Sequence, residues 1–72
     1  MKVKEIEYPT DTRKFEVEYR NKIYVCYIPG VFNCLGVSVW ERCNNGEDWR
    51  DFKLVENFKL ALKIEMACRA IM

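Results

Sequence analysis

Hydrophobic and polar residues alternate most cleanly over residues 14–20, where Phe15, Val17 and Tyr19 are separated by Lys14, Glu16, Glu18 and Arg20. A period of two marks a strand with one buried face. Asn21 tolerates positive φ, which suits a tight turn into residues 22–28, and the two segments form a predicted hairpin. In the second arm both faces are apolar, with Ile23, Val25 and Tyr27 on one and Tyr24, Cys26 and Ile28 on the other. Such a strand belongs in the middle of a sheet.

The flanking segments extend this pattern. Residues 2–8 read as a further strand, stopped by Pro9-Thr10-Asp11, where proline fixes φ and aspartate favours a turn. Pro29-Gly30 ends the central strand, and a loop through Asn33 leads to a strand over residues 35–42, with Val37 and Val39 on one side and Trp40 on the other. Asn44-Asn45-Gly46 is a turn signal, and Glu47 and Asp48 after it offer acceptors for a helix start. Residues 54–72 are rich in Leu, Ala, Lys, Glu and Met and contain no Gly or Pro, which predicts a helix. Phe58, Leu60, Leu62, Ile64 and Met66 also sit at alternate positions, a strand pattern. Ala61, Ala67 and Ala70 and the scarcity of β-branched residues decide for the helix. The reading is an α+β fold of one domain, residues 1–72, with a curved antiparallel sheet of three to four strands packed by one C-terminal helix, βββ(β)α.

That helix carries the most informative pattern in the chain. At about 100° per residue, Leu60, Ala61, Ile64, Ala67, Cys68 and Ile71 gather on the arc that would pack on the sheet. Phe58, Leu62 and Met66 fall on the opposite side, among Lys59, Lys63, Glu65 and Arg69. A surface helix has few apolar groups there, so a second contact surface is expected. The competing account is that segments around Trp49 and Phe52 fold over this side. Ala70-Ile71-Met72 supply neither a glycine cap nor a polar tail, so the helix terminus is expected to need cover as well.

Composition narrows the function classes. A 72-residue chain buries only about 60% of its unfolded surface, yet 50% hydrophobic and 14% aromatic residues are too many for a disordered segment. Twelve Lys and Arg against eleven Asp and Glu, interspersed, give a net charge of +1. That balance does not indicate strong steering of nucleic acid or an acidic membrane. No apolar run approaches the ~20 residues that cross a bilayer, and the opening Met1-Lys2-Val3-Lys4-Glu5 lacks the apolar core of a secretion signal. A cytoplasmic setting is expected. Cys26 and Cys68 lie in apolar settings, where a thiol behaves as a small hydrophobe, so these two, Cys34 and Cys43 are read as free thiols. The cysteine spacing contains no C-x-x-C knuckle and the chain has no histidine, so neither zinc nor another cofactor is expected.

Without histidine the commonest catalytic triads are excluded. Cys43, with Arg42 and Arg50 near it in sequence, is the one candidate for a reactive thiolate. Glu47, Asp48 and Asp51 are fewer oxygens than calcium gathers and read more simply as helix-terminal acids. Tyr19, Tyr24 and Tyr27 near Arg20 and Lys22 suggest a weak single-stranded nucleic-acid platform, opposed by Glu16 and Glu18 on the same strands. The expected function is a non-enzymatic protein-binding module that occupies a surface on another protein or on a copy of itself as a homodimer. Its candidate partner-binding residues are Phe58, Leu62, Met66, Lys59, Lys63 and Arg69. Small inhibitors or adaptors of larger machines have this profile, including phage proteins that block a host enzyme or an immune nuclease, such as anti-CRISPR proteins. A weak nucleic-acid-binding domain and a small thiol enzyme are the alternatives.

Overall fold

Arg20 and Asn21 both adopt positive φ, 51° and 63°, forming a two-residue turn whose twist matches that of the strands on either side. Asparagine enters this region readily, whereas an arginine there costs about 1–2 kcal/mol. The turn joins β2 (Arg13–Tyr19) to β3 (Lys22–Ile28), in antiparallel register from Tyr19 opposite Lys22 to Arg13 opposite Ile28. The computed structural model describes residues 1–30, 36–43 and 48–72. Around the hairpin it adds β1 (Lys2–Ile6), β4 (Ser38–Arg42) and β5 (Phe52–Leu54), then α1 (Phe58–Arg69). The five strands are antiparallel and lie in sequence order, β1-β2-β3-β4-β5.

The α+β class is therefore as the sequence indicates, with one strand more than the three to four expected. The extra strand, β5, has three residues, too few to display a period. Leu54, expected at the start of the helix, ends this strand opposite Trp40. β1 stops at Ile6 rather than Tyr8, and the strand expected from residue 35 begins at Ser38. Leu35, the loop through Asn33, the Asn44-Asn45-Gly46 turn, Glu47 and Cys34 lie outside the described residues.

Alternation sorts the strands into two faces. Facing α1 are Phe15, Val17, Tyr24, Cys26, Ile28 and Val39, which with Ile64 and Cys68 of the helix form the buried core. Phe15, Val17, Cys26, Ile64 and Cys68 have no exposed surface. The opposite face is apolar across β3 to β5, with Ile23, Val25, Tyr27, Trp40, Phe52 and Leu54. Across β1 and β2 it is charged, with Lys2 opposite Glu18 and Lys4 opposite Glu16.

Asn57, in extended conformation, starts α1, its Oδ1 accepting from the Leu60 backbone N–H at 3.2 Å. This satisfies one of the N–H groups that a helix start leaves without a partner. Asp48, read from sequence as an acceptor at a helix start, opens a single 3₁₀ turn at Trp49–Asp51. The Asp51 N–H donates to the Asp48 carbonyl, and the Asp48 N–H to Asp51 Oδ2. At the other end Ala70 still bonds to Met66, but Ile71 and Met72 donate to Cys68 and Arg69, three residues back. This tighter winding advances each residue by more than the α-helical step. Ile71, assigned to the sheet arc above, lies past the end of α1, and half its surface is exposed.

Candidate protein-binding face

Ile64 and Cys68 are fully buried on one side of α1, while Phe58, Leu62 and Met66 expose 76%, 42% and 59% of their surface on the other. The angular assignment therefore holds for the core residues Ile64 and Cys68 and for the outer stripe, with Ile71 the exception. Phe52, one of the residues expected to fold over the stripe, is on the sheet face away from α1, in register with Arg42. Among the described residues, eight large hydrophobic side chains are exposed, and five of them lie between Phe58 and Met72. Next to the stripe, a groove of about 300 Å³ runs between α1 and the β4–β5 edge, lined by Val37, Leu54, Val55, Phe58, Ala61 and Leu62. The walls are mostly apolar, with the Phe58 ring projecting at one side, and Ser38 and Glu65 also border the groove.

The charged residues around the stripe differ between its two sides. Glu65 and Arg69 close an i,i+4 ion pair at 2.9 Å. On the other side Lys63 Nζ donates to the Tyr19 hydroxyl at 3.0 Å. The Tyr19 ring lies 5.1 Å from both Lys63 Nζ and the Arg20 guanidinium carbon. This donation from Lys63 holds the Tyr19 phenol below the usual tyrosine range, with the charges of Arg20 and Lys63 adding to it. Among the described residues, Arg20, Lys59 and Lys63 form no ion pair with a carboxylate.

Compared with known proteins, the chain matches no family model, and no curated protein and no solved structure is similar to it.

The other candidate chemistries are dispersed by the fold. Tyr24 is 4% exposed in the core and Tyr27 lies on the opposite sheet face, so the three tyrosines considered for base stacking do not form one platform. Tyr27 instead packs edge-on against Tyr8, with ring centres 5.6 Å apart. Lys14 Nζ lies 5.8 and 5.7 Å from the Tyr8 and Tyr27 ring centres. These rings border a cleft of about 490 Å³ with Thr10, Asp11, Pro29 and Ser38, a feature the strand pattern does not announce because Tyr8 falls beyond the end of β1. Their π surfaces are already engaged by each other and by Lys14.

Cys43 is half-buried, with its thiol 3.9 Å from the Glu41 carbonyl it donates to. Arg50, considered as its activator, donates through Nε and Nη2 to Asp48 Oδ2. Cys26, Cys43 and Cys68 are free thiols. Among the described residues no three His, Cys, Asp or Glu side chains converge as metal ligands, and no helix is long and apolar enough to cross a membrane.

Proposed function

We propose that this chain is a non-enzymatic protein-binding module that docks through the outer face of α1, acting as a small inhibitor or adaptor of a larger machine. Phage-type inhibitors of host enzymes or immune nucleases belong to that class. The observation that carries the reading is Phe58, a phenyl ring 76% exposed in the first turn of a helix that buries Ile64 and Cys68 fully on its other side. Full burial of such a side chain is worth about 1.5–3 kcal/mol, and Leu62 and Met66 continue the same ridge. Lys59, Lys63 and Arg69 form its polar rim, the arrangement of an apolar centre ringed by charge that interfaces use.

Leu62→Asp tests the reading. The side chain is 42% exposed, so the variant should keep its circular dichroism and melting temperature. It should lose the discrete protein that co-purifies with the wild type from its native host, or lose the dimer in light scattering. An unfolded variant would place the stripe in the core; a folded one with unaltered association would move the interface elsewhere.

A further inference from the structure

From the unequal flanks of the exposed ridge, we infer that the occupant of the α1 face is an acidic amphipathic helix of another protein, not a second copy of this chain. This inference rests on the docking face proposed above and specifies what fills it. Phe58, Leu62 and Met66 are spaced i, i+4, i+8, the ridge by which helices interdigitate with other helices, and at 1.5 Å per residue the ridge spans about 12 Å. An apolar side chain of such a helix can enter the groove between Phe58, Leu62 and Leu54.

The charges choose the partner. In helical projection Lys59 and Lys63 follow one side of the ridge, and Glu65 and Arg69 the other. Lys63 reaches the Tyr19 hydroxyl, bringing Arg20 to the lysine side through the shared Tyr19 ring. Neither contact neutralises a cation, so three positive charges line one flank while the opposite flank is closed by the Glu65–Arg69 pair. Antiparallel self-pairing across the ridge would set each lysine flank against its own copy. Parallel self-pairing would set it against a carboxylate that Arg69 already holds. A foreign helix with Asp or Glu along one side of its apolar stripe meets the lysine flank with opposite charge, and complementary potentials select partners in this way.

A display library of helix-forming peptides, with apolar ridge positions kept and flanking positions randomised, is selected against the wild-type protein and counter-selected against Leu62→Asp. The survivors should carry Asp or Glu beside the ridge. Their affinity should fall roughly tenfold when salt is raised from about 50 to about 300 mM, because screening shortens the reach of charge. Against the Lys59→Glu/Lys63→Glu variant, or Lys59→Glu alone if the double variant does not fold, preference should invert toward peptides with lysine at those positions. Survivors that depend on Leu62 but show no acidic bias would overturn the inference and leave the docking face standing. Survivors indifferent to Leu62→Asp, or an empty selection, would overturn both. A dimer abolished by Leu62→Asp would make a second copy the occupant. Leu62-dependent sedimentation with phosphatidylserine vesicles would make it a lipid surface.

Discussion

Lys63 and Tyr19, 44 residues apart in sequence, meet at 3.0 Å where the middle of α1 crosses the end of β2. The bond accords with the rotation that the core sets for the helix: Ile64 is buried in the core, Lys63 lies at the sheet margin and Leu62 is exposed.

Tyr19 is accordingly expected to ionise below the usual tyrosine range. Its phenol is lowered chiefly by the Lys63 hydrogen bond, so absorbance at alkaline pH should show an early transition that Lys63→Met moves back toward the ordinary range. A depressed folded pKa stabilises only the ionised form. The effect on stability is complete above the unfolded pKa of about 10, disappears as pH falls through the folded value, and contributes nothing at pH 7. No early transition, or one that Lys63→Met leaves in place, would contradict this assignment.

Cys26 and Cys68 are expected to resist thiol reagents in the native state, while Cys43 reacts. Both are fully buried in one core cluster, and the Cys68 thiol beside Cys26, together with burial, pushes Cys26 well above the ordinary thiol range. A thiol raised on folding keeps its proton where the unfolded chain has lost it. Stability should therefore fall above the unfolded pKa of about 8.5, by up to about 1.4 kcal/mol per pH unit for one proton. Denaturation in urea at several alkaline pH values, compared with Cys26→Ala, measures that slope. Reductant should leave the melting temperature of the wild type unchanged, and maleimide labelling of Cys26 without unfolding would count against the assignment.

Asn57→Ala should destabilise the fold by about 1 kcal/mol, the usual worth of an N-cap, while Asn57→Asp should retain most of it. Urea midpoints decide. An alanine variant as stable as the wild type would mean that α1 is held by packing alone.

Gly30→Ala should cost about 1–3 kcal/mol, the range for forcing extra volume into a filled site. A methyl there would lie 2.5 Å from Asp11 Oδ2 and 2.9 Å from the Asp11 backbone carbonyl. Adding Asp11→Ala should restore only part of the loss, because the carbonyl stays in place; full recovery would show that the side chain alone sets the limit.

Most of this architecture is legible in the residues, where the signal is periodic. Phe15 and Val17 mark the buried face of β2, and Ile64 and Cys68 mark that of α1, because each recurs at the spacing of its own element. β5 is not legible: Phe52-Lys53-Leu54 contains a single alternation, and its pairing is supplied by β4 through Trp40 and Arg42. The helix begins at Phe58 and not at Leu54 because Phe52–Leu54 pairs with β4 and Asn57 caps the segment that follows. Phe58, Leu62 and Met66 could be placed on the outer face from angle alone. Lys59 and Lys63 beside them could be placed in the same way, but Arg20 could not, since it meets Lys63 only through Tyr19 on a different element.

Strand order that follows chain order has a kinetic consequence. Each strand of the sheet can add to the one made just before it, with only a short loop to close, and loop closure is the entropic cost that slows β proteins. The meander can therefore grow outward from the Arg20–Asn21 hairpin without waiting for a distant segment. Docking of α1, which brings Lys63 to Tyr19 and Ile64 into the core, is the one long-range event, so substitutions at Ile64 should act mainly on the unfolding rate if it comes last.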